Sequence, residues 1–398
     1  MLPVYYEFQH STKLLSGKSA LENIPAELHM LGAAHPMVLS DQVLYEIGTL
    51  SQVCDAVQED GIQIGAVFHE IPADSSSEVV NKIAEIYRSS GCDSLVAVGG
   101  GSVLDTAKGV RMLLSQKVHD IMELLGCEIL TRGRHVPFIA IPTTSGTGSE
   151  STLVAVIRNS ENKMKMEFIS YYLQPDATVL DARMTLTLPA RMTAATGMDT
   201  LCHAIEACTC LQKNPLSHAY GTAAIRMVGD YLEKAAKNGK DKEARLGMAN
   251  ASTMAGAAFS NSMVGMVHAI GHALGSVCHV PHADAMTILL PYCMEYNMDK
   301  LSGEYGELLL YLEGPEEYAA TPAKERGKVM VEKVRELEAR LHAQYGLPLS
   351  LREAGVKKES FEAVAKAALS DGAMIVNPKQ VGKEDVLEIL EKAYEPEK

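Results

Sequence analysis

The sequence predicts an α/β chain of two domains, a doubly wound parallel sheet in the N-terminal half and an all-helical C-terminal half. Three observations carry this. Short buried-strand signals alternate with helical periods up to about residue 182. Strand signals then stop, and Ala- and Met-rich helical segments run onward from about residue 186. Leu188-Pro189 punctuates the chain close to that change, so the boundary is expected near residues 182–188, with a dinucleotide-binding domain at 1–185 and a metal- and substrate-binding domain at 186–398. At 398 residues the chain is long enough for two substantial cores.

Taken in order, the opening to about residue 26 combines Tyr5, Tyr6 and Phe8 with Ser16-Gly17-Lys18 and reads as a strand or hairpin leading into a short helix. Pro36-Met37-Val38-Leu39-Ser40 reads as a short buried strand, residues 47–60 as a helix and residues 62–68 as a second strand. Residues 76–89 carry Val79, Val80, Ile83, Ile86 and Tyr87 at a helical period. Ser94-Leu95-Val96-Ala97-Val98 is a third strand that runs into a glycine run and a helix from about Val103, and Pro137-Phe138-Ile139-Ala140-Ile141 is a fourth. Helices are then expected at 190–211, 217–237, 243–262, 267–278 and 285–296. A polar interval at 302–321 separates them from three more amphipathic helices, the last at 383–394. Methionines at helical spacing read as core filler.

Composition excludes several classes of function. A net charge of −14 without any basic block argues against a nucleic-acid or anionic-membrane partner. No apolar run approaches the roughly 20 residues needed to span a bilayer. The opening Met1-Leu2-Pro3-Val4-Tyr5-Tyr6-Glu7 lacks the charged and apolar regions of a signal peptide. The eight cysteines (Cys54, Cys92, Cys127, Cys202, Cys208, Cys210, Cys278, Cys293) form no Cys-x-x-Cys pair and read as reduced thiols, so a soluble cytoplasmic protein is expected.

The stretch 196–282 carries a candidate metal site. In Thr196-Gly197-Met198-Asp199-Thr200-Leu201-Cys202-His203, Asp199 and His203 lie one helical turn apart on one face. His268 and His272 repeat that spacing, and His282 follows in Val280-Pro281-His282. One Asp-x-x-x-His pair is common by chance. Here the surrounding small apolar residues predict buried helices, where unpartnered imidazoles and a carboxylate would cost several kcal/mol. A shared divalent cation removes that cost. Imidazoles with one carboxylate suit Fe2+, Zn2+ or similar ions and leave room for a substrate oxygen.

Two loops are candidates for a nucleotide. Val98-Gly99-Gly100-Gly101-Ser102 follows a strand and opens a helix, where backbone N–H groups and the helix N-terminus favour a diphosphate, although glycine runs also serve turns. Pro142-Thr143-Thr144-Ser145-Gly146-Thr147-Gly148-Ser149-Glu150 can donate to phosphate or ribose, or can simply cap a helix. Asp41 is open to two readings. It can accept both hydroxyls of an adenosine ribose and repel the extra phosphate of NADP, which favours NAD, or it can cap the next helix.

In order along nearly the whole chain, these residues resemble the iron-containing, or group III, alcohol dehydrogenase family. The matching series is Ser40-Asp41, Gly99 to Ser102 with Asp105 and Lys108, the 142–150 loop, Thr196-Gly197-Met198-Asp199 with His203 and Glu206, Ala255-Gly256, His268, His272 and Pro281-His282. The resemblance implies a Rossmann-type N-terminal domain plus an all-helical domain, the dehydroquinate synthase-like or iron-dependent alcohol dehydrogenase fold, with metal and nicotinamide meeting in the cleft between them. It implies Asp199, His203, His268 and His282 as ligands of Fe2+, with Zn2+ as the second choice, and His272 as a proton-relay group. It implies Gly99, Gly100, Gly101 and Ser102 at the diphosphate, Thr143, Thr144 and Thr147 at the nicotinamide side and phosphates, Lys165 at the ribose, Asp41 as the residue of NAD preference and Phe259 in the substrate pocket. Ile71-Pro72-Ala73-Asp74-Ser75 and Val376-Asn377-Pro378-Lys379 depart from the usual Pro-Asn-Pro and Asn-Pro-Arg, so Asp74 may replace a cofactor contact.

The reaction so implied is hydride transfer between NAD(H) and a small primary alcohol, diol or aldehyde, in a homodimer or larger homo-oligomer. The competing reading is a dehydroquinate-synthase-like lyase using NAD and zinc. That needs a Lys/Arg cluster beside the metal, and residues 197–284 hold few such charges in a suitable place. Glycerol dehydrogenases and maleylacetate reductases are neighbouring alternatives within the oxidoreductases, and a non-catalytic NAD sensor would have no use for four intact ligands.

Overall fold

The computed structural model describes residues 3–125, 130, 133–161 and 165–395. It divides into two units, Gln9–Leu188 and a second that runs from Pro189 and takes in the segment ending at Phe8. Cys127 lies outside the described residues.

The first unit holds β1 (Lys13–Ser16), α1 (Ile24–Met30), β2 (Pro36–Leu39), α2 (Gln42–Glu46), α3 (Thr49–Gln58), β3 (Ala66–Phe68), α4 (Ser77–Ser89), β4 (Ser94–Gly99), α5 (Gly101–Gln116), β5 (Phe138–Pro142), β6 (Val154–Arg158), β7 (Lys165–Ile169) and β8 (Ala177–Leu180). Six strands form one parallel sheet in the order β1-β8-β5-β4-β2-β3. Strands β2, β4, β5 and β8 are buried along their whole length, as a sheet covered on both faces requires. Adjacent residues feed opposite cores: Met37, Leu95 and Phe138 enter one, Val38, Val96 and Ile139 the other. The chain leaves β2 for β3, then returns past β2 to β4, so the winding reverses between β2 and β4. The carboxyl ends of those two strands carry Asp41 and Gly99, where a doubly wound sheet binds its ligand. Ser40 Oγ braces the two ends by donating to the Val98 carbonyl at 2.8 Å.

Some elements differ from expectation. The single helix read over 47–60 begins after Gly48, whose φ of 80° separates α2 from α3. The second strand is confined to Ala66–Phe68, because Gln63 and Gly65 instead donate singly to the carbonyls of Ala34 and Pro36. Beyond the expected strands lie β8 and the antiparallel pair β6–β7.

The helical unit comprises α6 (Ala190–Thr209), α7 (Pro215–Lys237), α8 (Lys242–Ser260), α9 (Met266–Cys278), α10 (His282–Glu313), α11 (Pro315–Ala320), α12 (Arg326–Tyr345), α13 (Phe361–Ala368), α14 (Gly372–Ile375) and α15 (Lys383–Tyr394). Small residues set its close packing. A Cβ on Gly197 of α6 would lie 2.2 Å from Leu232 Cδ1 of α7, and one on Gly221 of α7 would lie 2.5 Å from Cys208 Sγ of α6. The polar interval expected at 302–321 is helical as far as Glu313, since α10 continues through Pro291. Leu301, Tyr305, Leu308, Leu309 and Leu312 give that half of α10 its buried stripe. Its glycine is a contact, not a break: a Cβ on Gly306 would stand 3.1 Å from Arg326 Cβ of α12. Among the described residues no helix is long and apolar enough to cross a membrane.

Candidate metal and nucleotide sites

Helix α6 is buried continuously from Gly197 to Thr209, and Asp199 and His203 leave it one turn apart. Helix α9 contributes His268 and His272 in the same way. It ends at His279 in the left-handed conformation (φ 59°), and after the turn His282 is the first residue of α10. Arg191 donates to Asp284 Oδ2 at 2.9 Å, tying the start of α6 to the start of α10. The result is one donor atom each from Asp199, His203, His268 and His282, all within 4.8 Å of one another.

Asp199 Oδ1 is the common point. It lies 3.4 Å from His282 Nε2, 3.6 Å from His203 Nδ1 and 4.0 Å from His268 Nε2. Bonds of 2.0–2.2 Å to one tetrahedral cation would hold neighbouring donors about 3.3–3.6 Å apart. Asp199 Oδ1, His203 Nδ1 and His268 Nε2 are buried with no hydrogen-bond partner. Three such atoms facing one point would be costly without a shared partner. Burial drives the His203 imidazole down to about 3 and His268 well below its ordinary range, leaving both neutral with lone pairs to give. Burial opposes ionisation of Asp199 too, but the imidazoles of His203, His282 and His268 outweigh it and hold the carboxyl below the carboxylate range. An anion with three neutral imidazoles fits a divalent ion.

The shell around this cluster is specific. Phe259 stacks on His203, ring centres 4.4 Å apart. His272 lies 5.4 Å from the His282 ring and bonds Asp371 Oδ2 through Nδ1 at 2.9 Å. Glu206 Oε2 is 2.6 Å from His268 Nδ1. Burial pushes the Glu206 carboxyl up to about 7, against the N–H groups of Gly265, Val267 and His268 that favour its charged form. The bonds made by Glu206 and Asp371 were not anticipated from sequence. Glu206, three residues after His203 and seven after Asp199, shares their helical face and could have been found by that spacing. Asp371 lies 99 residues from His272, and no local pattern points to it.

In the first unit the two candidate loops touch. Thr143 N donates to the Gly99 carbonyl at 3.1 Å, and Cβ atoms on Gly100 and Gly101 would stand 3.3 and 3.1 Å from Thr144 and Thr147. The first N–H groups of α5, on Gly101 and Ser102, have no acceptor within the helix. The Ser102 hydroxyl is taken by the Ala73 carbonyl. Asp41 is a helix cap, its Oδ1 accepting Leu44 N at 2.9 Å. Lys165 is exposed and pairs with Asp74 at 3.4 Å. Asp105 of α5 holds the second loop, accepting Ser149 Oγ at 2.6 Å and Val156 N at 3.0 Å.

Lys108, fully buried beneath this loop, donates to Thr152 Oγ1 at 2.8 Å and the Val154 carbonyl at 2.7 Å. Burial lowers its ammonium to about 8 from 10.5. Between those values the unfolded chain binds the extra proton, so stability rises with pH. The unfolding free energy of the parent relative to Lys108→Met is therefore expected to grow between pH 8 and 10.5, by on the order of 3 kcal/mol over the window. Denaturant titrations at the two ends check it, and a flat difference would count against it.

Comparison with known proteins agrees with both halves. Residues 11–182 match the iron-containing alcohol dehydrogenase profile and residues 193–394 the C-terminal part of the Fe-containing alcohol dehydrogenase family. The chain is 32% identical over 380 residues to the NAD-dependent methanol dehydrogenase of Bacillus methanolicus, covering 95% of this chain and 97% of that one. It is also 32% identical over 380 residues to the 1,3-propanediol dehydrogenase of Citrobacter freundii, covering 95% and 96%. The solved alcohol dehydrogenase from Oenococcus oeni superposes with a TM-score of 0.92 at 30% identity, covering 98% of this chain and all of that one. With both halves matched in order and relatives aligned nearly end to end, the chain belongs to the iron-containing alcohol dehydrogenase family.

Proposed function

We propose that the chain is a metal-dependent, NAD(H)-linked alcohol dehydrogenase and aldehyde reductase acting on small primary alcohols, diols or aldehydes. The observation that carries the reading is the convergence of Asp199, His203, His268 and His282, three of them with buried atoms that lack a hydrogen-bond partner. The methanol and 1,3-propanediol activities named for two relatives support small alcohols as the substrate class.

In this reading Asp199, His203, His268 and His282 hold Fe2+, with Zn2+ the alternative. When bound, the ion supplies Lewis acidity toward an alcohol or carbonyl oxygen, and NAD supplies the hydride acceptor. The protein's part is placement. Gly99, Gly100 and Gly101 let backbone approach the diphosphate, and Ser102 contributes its N–H, its hydroxyl being already engaged. Thr143, Thr144 and Thr147 serve the phosphates and nicotinamide side, and Lys165 the ribose. Asp41 keeps Oδ2 for the ribose hydroxyls while Oδ1 caps α2, and its charge disfavours NADP. Phe259, stacked on His203, limits substrate bulk. Asp371 fixes the His272 ring through Nδ1, so that proton transfer occurs at Nε2. The seven thiols Cys54, Cys92, Cys202, Cys208, Cys210, Cys278 and Cys293 are unpaired, which supports the reducing cytoplasm, and we extend the reading to a homodimer or larger homo-oligomer.

An anaerobic panel of small alcohols and aldehydes, run with NADH and NADPH after loading with Fe2+ or Zn2+ separately, tests substrate, cofactor and metal together. No turnover with any combination would overturn the reading. His272→Ala is expected to keep its metal and lose about 10²-fold in kcat, the lower end for a proton-transfer group. Metal analysis beside steady-state kinetics checks it, and an unchanged kcat would dismiss the relay.

A further inference from the structure

We infer that Glu206 is a positioning residue, fixing the tautomer of His268 while capping the helix that carries it. The inference rests on the metal-centre reading above. Helix α9 has no side-chain cap of its own, because its N-cap is Gly265. Glu206 reaches over from α6 instead. Its Oε1 accepts Val267 N at 2.8 Å, and its Oε2 accepts His268 N at 3.4 Å and faces His268 Nδ1 at 2.6 Å. Both oxygens thus already serve backbone donors, and the short contact to Nδ1 is satisfied by an imidazole that donates there. With the proton on Nδ1, His268 Nε2 carries its lone pair, and Nε2 is the unpartnered atom facing Asp199. The cap thereby sets which nitrogen of His268 can bind a metal.

Two neighbouring features fit this role. A Cβ on Gly265 would stand 2.8 Å from Glu206 Oε1, so glycine keeps the carboxylate's path clear. Behind Glu206 lies a cavity of about 10 Å3, room for one water, whose lining includes Thr209, Asn297, Tyr305 and Asn377. Asn297 and Asn377 close it with reciprocal amide bonds of 3.1 and 3.0 Å. Truncation to alanine would enlarge this cavity and confuse packing with positioning. Glutamine keeps the shape and removes one acceptor. If its oxygen serves Val267 N, its amide faces Nδ1 as a donor and forces the proton to Nε2; if it serves Nδ1, the amide opposes Val267 N–H.

The test is Co2+ affinity by chelator competition and the Co2+ d–d spectrum, on the full chain, for the parent, Glu206→Gln and Gly265→Ala. NADH binding and the unfolding midpoint are measured alongside. Glu206→Gln is expected to bind Co2+ about 10–100-fold more weakly with an altered spectrum, while NADH affinity holds. Gly265→Ala, which crowds the carboxylate without changing it, is expected to weaken Co2+ in the same direction and carries the test if Glu206→Gln does not fold. Affinity within about twofold of the parent, with an unchanged spectrum, in whichever variants fold overturns the inference and leaves the metal centre standing. A parent that binds no Co2+ overturns the metal-centre reading and this inference with it.

Discussion

Asp199→Ala is expected to abolish metal binding and turnover together while the fold and NADH binding persist. Asp199 is the sole anion among the four converging donors, and the other three stand 3.4 to 4.0 Å from its Oδ1. Without it a divalent ion would keep its full charge among neutral imidazoles in a buried site. The expected loss in affinity exceeds about 100-fold, because partners that only orient a ligand are already worth about 10–100-fold. Turnover should fall by on the order of 10³ or more, since Lewis-acid stabilisation amounts to several kcal/mol. The fold should survive because alanine is the best helix former and the residue sits inside a continuous helix. Metal content, NADH fluorescence titration and kcat on one preparation decide it. Full activity in a metal-free Asp199→Ala protein would contradict the whole assignment.

Gly99→Ala is expected to give the opposite pattern, with nucleotide binding lost and metal retained. The added methyl would stand 2.5 Å from Val103 Cβ and Cγ2, atoms fixed by the first turn of α5. The helix must therefore move off the end of β4, and the approaches of Gly100 to Thr144 and Gly101 to Thr147 open with it. NADH affinity should fall at least about tenfold, or 1.4 kcal/mol. Overpacking should lower stability by about 1–3 kcal/mol. Unchanged NADH affinity in Gly99→Ala would remove the glycine loop from the nucleotide site.

Why some of this could be read in the sequence and some could not follows from the range of the forces involved. The central strands were legible because β2, β4 and β5 are buried on both faces and so read as unbroken apolar runs. Strand β8 is just four residues long, and β7 is mostly exposed, with a lone buried Phe168. Neither presents a period long enough to count. The second half of α10 was misread because its glycines and charges look like a loop until α12 is laid against it. Asp199, His203, His268 and His282 stood out because pairs at one-turn spacing are a local signal. The Asp371 contact to His272 was invisible for the opposite reason, since tertiary folding alone joins residues so far apart.

The depth at which Asp199, His203 and His268 sit has a bearing on how the enzyme acquires its ion. Their side chains are at most 6% exposed, whereas that of His282 is 37% exposed. Three donors are preformed by apolar packing of α6 and α9, so little ordering energy is spent when the ion arrives, unlike small zinc domains whose folding waits for metal. Chelated protein should accordingly be recoverable by simple reconstitution, with no refolding step.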